Sequence, residues 1–193
     1  MSLCPIGKSQ LIAKSCLIYH PDTVDDGIKE FYIGVKGQYH NGDLTLRYEV
    51  QGNIDMLAIP ASKAPKETDN LWQHTCFEAF IAVEEEEAYR EYNFSPSGEW
   101  AAYAFNDYRK RKSWHATDAN AIHCVISEDQ LILTAVIAHR NLPENPLNKS
   151  YRLGLSTVLE TKAGDLSYWS LFHPSGSPDF HHRSGFTLSF NLS

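Results

Sequence analysis

Residues 71–81 read LWQHTCFEAFI and combine a strand-like apolar run with a single carboxylate. The part from Cys76 onward is typical of a buried strand. Glu78 stands inside that run, and burying an ionisable group is costly unless it meets a partner. We therefore expect polar segments from elsewhere in the chain to lie near Glu78. The candidates are residues 92–100 (YNFSPSGEW) and 169–174 (WSLFHP).

Alternation of apolar and polar residues dominates the rest of the chain. It is clearest in residues 44–50 (LTLRYEV), 151–159 and 186–192, and it predicts strands with one buried face. Further strands are predicted at residues 30–35, 76–83, 89–94, 100–105, 122–127 and 131–138.

Turn signals separate these segments and favour an all-β fold. Asn41-Gly42, Ser97-Gly98 and Ala163-Gly164-Asp165 indicate hairpin-type turns. Helices are expected only as short pieces in loops, near residues 58–66 or 84–88. Many short strands joined in this way predict an antiparallel sandwich or barrel. The length of 193 residues indicates one domain spanning residues 1–193.

The composition argues against several classes of partner. The formal net charge of −7 and the pI of about 5.7 disfavour a nucleic-acid backbone or an anionic membrane surface. The basic run at residues 109–112 (RKRK) is expected on a solvated loop. No run approaches the roughly 20 apolar residues that a membrane span needs. The four cysteines contain no C-x-x-C pair, so neither a zinc knuckle nor a thioredoxin-type site is indicated. A cytoplasmic location with reduced thiols is expected.

The tryptophans suggest a binding slot for a flat, partly apolar ligand such as a sugar. Trp72 and Trp169 lie beside turn-like sequence, as do Trp100 and Trp114. Stacking that buries about 100 Å² at about 25 cal/mol per Å² contributes about 2.5 kcal/mol. A millimolar complex needs about 4 kcal/mol. Polar groups must therefore converge on the ligand, and residues of suitable types are Gln73, His74, Glu78, Asn93, Ser95 and His173.

Other chemistry is compatible with the same segments. Glu78 and Glu91 lie on consecutive predicted strands and could form the carboxylate pair of a glycoside hydrolase, although surface exposure of Glu91 is an equally open reading. His173, His181-His182 and Asp179 could bind a metal ion. Adjacent histidines on an extended chain point to opposite sides and no H-E-x-x-H signature occurs, so a structural role is favoured and no metal site is predicted. A catalytic Ser-His-Asp triad is not favoured, because the sequence contains no G-x-S-x-G nucleophile elbow.

The segments 71–81, 92–103 and 169–171, together with 178–181 and Phe186, resemble the DOMON-like superfamily. The resemblance is strongest to the branch similar to family 9 carbohydrate-binding modules, among stand-alone bacterial proteins, and covers roughly residues 9–192. It implies a two-sheet antiparallel β-sandwich of jelly-roll type that binds sugar or haem.

The resemblance also assigns roles to residues. Trp72 and Trp169 match the two tryptophans that sandwich a terminal sugar ring, and Glu78 matches a carboxylate on the following strand. His74 and Thr75 stand where those relatives often carry acidic residues. Haem-binding members use Met and His ligands, but Met1 and Met56 are the only methionines here, and no cofactor is predicted.

The sequence thus predicts a non-catalytic β-sandwich that binds a small ligand, most plausibly a saccharide. Trp72 and Trp169 would supply the stacking faces. Hydrogen bonds would come from His74, Glu78, Asn93, Ser95 and His173. The alternatives are a carbohydrate-active hydrolase that uses Glu78 with a second acid or a histidine, and a haem or metal protein. None of these patterns specifies an oligomeric state.

Overall fold

A computed structural model describes residues 10–23, 26–117 and 120–191. Within these ranges the chain is almost entirely strand. The strands are β1 (Gln10–Tyr19), β2 (Tyr32–His40), β3 (Asp43–Gln51), β4 (Cys76–Val83), β5 (Tyr89–Phe94), β6 (Trp100–Asp107), β7 (Lys110–Lys112), β8 (Ala121–Ile126), β9 (Gln130–Ile137), β10 (Tyr151–Glu160), β11 (Leu166–Ser170) and β12 (Leu188–Phe190). The helical elements are α1 (Asp26–Lys29) and 3-10 helices at Ile54–Met56, Leu71–Gln73, His139–Asn141 and Arg183–Gly185. No described helix is long and apolar enough to span a bilayer.

The strands form two packed sheets, and every pairing between strands is antiparallel. Sheet A has the order β1-β2-β3-β9-β8, and sheet B has the order β7-β6-β5-β4-β10-β11, with β12 also paired to β10. Strand β1 joins the sheets, because its first part pairs with β2 and its last two residues pair with β11. The hydroxyl of Tyr48 on β3 donates a hydrogen bond to the Glu78 carbonyl on β4 at 2.7 Å, so the sheets meet face to face. The predicted antiparallel sandwich is confirmed.

Sheet A has one buried and one wet face, as strict alternation dictates. On β3, Leu44, Leu46, Tyr48 and Val50 are buried in the core between the sheets. The alternate residues of β3 are partly exposed polar side chains.

Sheet B is buried on both faces. On β4, Phe77, Ala79 and Ile81 face the core between the sheets, whereas Phe80 and Ala82 belong to a separate cluster on the outer face. That outer cluster is covered by residues 172–187, which we call the strap, and Phe186 of the strap packs 5.8 Å from Phe80 between ring centres. Gly154 on β10 permits this approach, because a Cβ there would lie 2.9 Å from the Phe186 ring.

The structure refines several sequence predictions. The Asn41-Gly42 hairpin is present, and both residues have positive φ, as a type I′ turn requires. The short helices expected near residues 58–66 and 84–88 are wrong, since these segments are irregular or form turns. Strands β1, β7 and β11 were not predicted from the sequence. Of the strand predicted at 186–192, only Leu188–Phe190 is found among the residues described.

Candidate ligand-binding site

A cavity of about 650 Å³ opens on the outer face of sheet B, between the strap and the 3-10 helix Leu71–Gln73. Strands β4, β5 and β6 form its floor, and β7 and the turn before it close one side. The lining residues are Asp69, Asn70, Trp72, Glu78, Glu91, Tyr103, Phe105, Arg109, Arg111, Val158, Tyr168, Ser177, Pro178, Phe180 and His181.

Strand register places two carboxyl groups on this floor. Glu78 on β4 pairs with Asn93 on β5, and Glu91 pairs with Tyr103 on β6, so all four side chains share the outer face. Glu78 and Glu91 are diagonal neighbours across adjacent strands. Both are deeply buried, with Glu78 3% and Glu91 5% exposed.

The two carboxyl groups have opposite surroundings. Glu91 accepts a hydrogen bond from the Asn93 side-chain amide at 2.7 Å. Among the described residues, the Glu78 carboxyl has no hydrogen-bond or ion-pair partner. Burial and, next, the charge of Glu91 raise the pKa of Glu78 well above its ordinary value. Burial raises the pKa of Glu91 to about 7, although the bond from Asn93 opposes this rise.

Two arginines line the cavity, and each is engaged by an aspartate. The Arg109 guanidinium lies 2.9 Å from the Asp179 carboxylate, which also accepts the Tyr108 hydroxyl at 2.8 Å. The Arg111 guanidinium lies 3.8 Å from the centre of the Tyr103 ring and 3.8 Å from Asp69. The strap and the β6–β7 turn are therefore held together by charge-assisted contacts at the cavity wall.

His181 lies in the cavity wall, among the rings of Phe80, Tyr89 and Phe105. Burial and, next, the charge of Arg109 lower the pKa of His181 to about 4, so the ring is neutral at pH 7. The Tyr89 oxygen accepts the Arg109 backbone N–H at 3.1 Å and lies 2.8 Å from His181 Nδ1. We assign the Tyr89 hydroxyl as the donor and His181 Nδ1 as the acceptor. The single N–H of the neutral ring is then on Nε2, which lies 3.7 Å from the Glu91 carboxyl.

Trp72 stands at the rim with 49% of its surface exposed. Its neighbour Leu71 is buried against Cys76 and Ala101, which anchors the short helix to the outer face of sheet B. The indole is thereby fixed at its backbone while its ring remains open to solvent.

The residues predicted from the sequence are only partly brought together. Trp72 and Glu78 line the cavity, and Asn93 lies directly behind, bonded to Glu91. The other three polar candidates lie outside the lining. His74 bonds to Glu160 at 2.8 Å, Ser95 bonds to Ser97 in the β5–β6 turn, and His173 Nε2 lies 2.9 Å from the Ile18 carbonyl oxygen.

Trp169 requires a correction. The structure does not place it opposite Trp72, since Trp169 is only 2% exposed and belongs to the core between the sheets. Its indole N–H donates to Ser167 Oγ at 3.1 Å, and its ring packs edge-on against Tyr19. On β11 the side chains alternate, so the residue that reaches the cavity is Tyr168.

Several lining residues were not identified from the sequence as part of a site. Arg109 and Arg111 belong to the basic run that was expected on a solvated loop, yet β7 adds this run to the edge of sheet B. Arg111 pairs with Phe105 and so shares the outer face with Tyr103 and Glu91. The feature of the sequence that indicated a shared face was the i, i+2 spacing of the two arginines, because alternate residues on a strand point to the same side.

The alternatives that involve metal or haem gain little support from this geometry. The residues described contain no group of three or more His, Cys, Asp or Glu side chains that could hold a metal ion. His182, next to His181, bonds instead to Ser184 at 2.6 Å. Met56 packs against the core between the sheets.

Comparison with known proteins supports the fold. No family model matches the sequence, and no curated protein matches it closely. A candidate carbohydrate-binding protein from Bacteroides uniformis has a similar structure, with a TM-score of 0.63 and 16% identity over 94% of this chain and 87% of that one. Two structures of a family 9 carbohydrate-binding module from Caldicellulosiruptor kristjanssonii are also similar, each with a TM-score of 0.53. The cellotriose complex is 13% identical over 86% of this chain and 75% of that one, and the glucose complex 12% identical over 91% and 81%.

Proposed function

We propose that the cavity on the outer face of sheet B binds a saccharide without chemical change. The observation that carries this proposal is the combination of a half-exposed tryptophan at the rim with ionisable groups buried in the floor. Sugar rings present both an apolar face and a ring of hydroxyls, which these two features complement. Binding of cellotriose and glucose by a module of similar fold supports the same class of ligand.

Trp72 supplies the stacking face in this proposal. Because Trp169 is buried, a second aromatic wall is formed instead by Tyr168 on β11 and Phe180 of the strap. These two rings lie 6.1 Å apart between centres and stabilise each other. The ligand is thus held between one exposed indole and a wall of aromatic side chains that belong to the sandwich itself.

The polar recognition comes from the floor. Glu78 offers carboxyl oxygens as acceptors at the cavity floor, and burial favours its protonated form, which can also donate. Arg111 adds further donors from the β7 side, because one face of its guanidinium covers Tyr103 and its edge remains available. Convergent polar groups of this kind supply the affinity that stacking alone lacks.

The test is titration calorimetry, combined with tryptophan fluorescence, against monosaccharides and oligosaccharides that include glucose and cello-oligosaccharides. We expect heat of binding and a change in emission that disappear in Trp72→Ala. Absence of both signals across a broad panel would contradict the proposal.

A second candidate function is glycoside hydrolysis with Glu78 and Glu91. The observation that favours it is the placement of two buried carboxyl groups on one cavity floor, with the pKa of each raised. Hydrolysis of activated aryl glycosides, abolished in both Glu78→Gln and Glu91→Gln, would establish it. Binding without turnover would exclude hydrolysis and leave the first proposal intact.

A further inference from the structure

The acids of the cavity outnumber its cations, and the carboxyl without a contact partner is Glu78. The lining contains three acids, Asp69, Glu78 and Glu91, and two arginines. Arg111 is nearest to Asp69, and Arg109 is held by Asp179, which lies just behind the lining. Each cation is therefore already matched by an aspartate.

Glu91 is also satisfied. Its carboxyl accepts the Asn93 amide, and His181 Nε2 lies 3.7 Å from it. Glu78 alone, 97% buried by accessible surface, faces the cavity without a hydrogen-bond or ion-pair partner within the described part of the chain. A carboxyl group in a cavity floor that has no partner from the protein is placed to meet a ligand group.

We propose that the cavity selects sugars that carry a free amino group, with Glu78 as the counter-ion of the ligand ammonium. This inference rests on the proposed saccharide-binding function and specifies its ligand class. A neutral hydroxyl would leave the Glu78 carboxylate without a counter-ion, and a sugar carboxylate would add a further negative charge beside it. An ammonium group donates up to three hydrogen bonds and supplies the missing positive charge.

The raised pKa of Glu78 agrees with this assignment. Burial beside Glu91 favours the protonated form, which needs no counter-ion while the cavity is empty. When the ammonium group binds, that proton passes to solvent and the carboxylate forms an ion pair with the ligand. Removal of this proton costs part of the gain, so the preference for the amine is expected to be about tenfold rather than larger.

The aromatic residues of the site suit the same ligand. Trp72 at the rim can attract a cation by its ring face as well as stack on a sugar ring. The net charge of −7 on the whole chain further favours approach of a cationic ligand.

The experiment is a titration at pH 7 with four matched ligands: glucosamine, N-acetylglucosamine, glucose and glucuronate. We expect glucosamine to bind about tenfold more tightly than glucose, and glucuronate to bind least. Acetylation removes the positive charge and keeps the nitrogen, so N-acetylglucosamine is expected to lose the advantage. Equal affinity for glucosamine and glucose would overturn the inference while leaving saccharide binding established.

Two variants sharpen the result. Glu78→Gln keeps the shape of the side chain and removes its charge, so it should abolish the preference for glucosamine over glucose. The matched control is Glu49→Gln on the outer face of sheet A, which should change neither affinity. A Glu78→Gln variant that still prefers the amine, with an unchanged melting temperature, would overturn the inference. Absence of binding by all four sugars, with a simple amine such as ethanolamine still bound, would instead overturn the saccharide function.

Discussion

Glu49 and Glu78 occupy comparable positions on the outer faces of the two sheets, and their surroundings are opposite. Glu49 on β3 accepts hydrogen bonds from Gln51 and Arg47 near solvent, and these bonds lower its pKa. Glu78 on β4 is buried beneath the cavity, and burial raises its pKa. The backbone alternation that turns both residues outward is the same. What differs is whether further chain covers the outer face.

The two outer faces also differ in whether their residues need further chain to exclude water. On the outer face of sheet A, the outward residues of β3 are polar and partly exposed. The outer face of sheet B carries Phe80, Tyr89 and Phe105, which require the strap to exclude water. The strap then closes one side of the cavity, so the same apolar cluster that stabilises the fold also creates the site.

The largest contrast is expected from truncation of one side chain on each outer face. Phe80→Ala removes a fully buried ring that packs against Phe186 and His181, and it should lower the free energy of unfolding by about 3–5 kcal/mol. Thr134→Ala on β9 should lower it by about 0.5 kcal/mol or less. Chemical denaturation of both variants measures the difference. Similar losses in the two variants would mean that the strap does not bury sheet B as described.

The second contrast is in the pH dependence of stability. The pKa of Glu91 is raised from 4.5 to about 7, so the folded protein binds more protons than the unfolded chain and Glu91 makes stability fall as pH rises through that interval. The pKa of His181 is lowered from 6.5 to about 4, so His181 makes stability rise with pH over an overlapping interval. Each contribution is roughly 3 kcal/mol over its full range, and the two oppose each other.

Single variants should separate these opposing contributions. Glu91→Gln removes the falling contribution, so stability should rise more steeply between about pH 4 and pH 6.5 than in the wild type. His181→Asn removes the rising one, so stability should fall with increasing pH between about pH 4.5 and pH 7. Glu49→Gln provides the control from sheet A. Denaturation midpoints measured across this range provide the readout, and parallel pH profiles for the first two variants would refute the assignment.

Much of the fold follows from local patterns in the sequence. The strands at 76–83 and 89–94 were predicted with the bounds that the structure has, because turn residues mark their ends. The strap could not be predicted as a cover, since its role depends on contacts between Phe186 and strands about a hundred residues earlier. Likewise, β7 is a short edge strand of basic residues with no apolar alternation.

The site was predicted in part for the same reason. Glu78 could be identified because a carboxylate within an apolar run is anomalous, whatever surrounds it. Trp169 was misplaced because a shift of one residue on a strand exchanges the inner and outer faces. A turn-like neighbourhood gives no information about that register, so Tyr168 and Trp169 could not be distinguished before the pairing with β10 was known.

A third contrast concerns exposed aromatic residues. Trp72 and Tyr32 are 49% and 51% exposed, one beside each outer face. Neither truncation to alanine should cost more than about 1 kcal/mol in stability, because half of each ring already contacts water. Trp72→Ala should weaken saccharide binding by tenfold or more, since it removes a stacking contribution of about 2.5 kcal/mol. Tyr32→Ala should leave calorimetric affinity unchanged, and equal losses in both variants would argue against the cavity as the site.

The smallest effect on stability, with a distinct effect on selectivity, is expected from Asp179→Asn. The Arg109–Asp179 pair is partly exposed, so its loss should lower the free energy of unfolding by less than about 1 kcal/mol. The released guanidinium lowers the pKa of Glu78 more effectively once it is no longer matched, and it can replace the ligand ammonium as counter-ion. The preference for glucosamine over glucose should therefore decrease.

Asp69→Asn is the matched control, because it releases the more exposed Arg111 and should change the preference less. If Asp179→Asn left the preference for glucosamine unchanged, the pairing of Arg109 with Asp179 would not be the reason that Glu78 lacks a counter-ion.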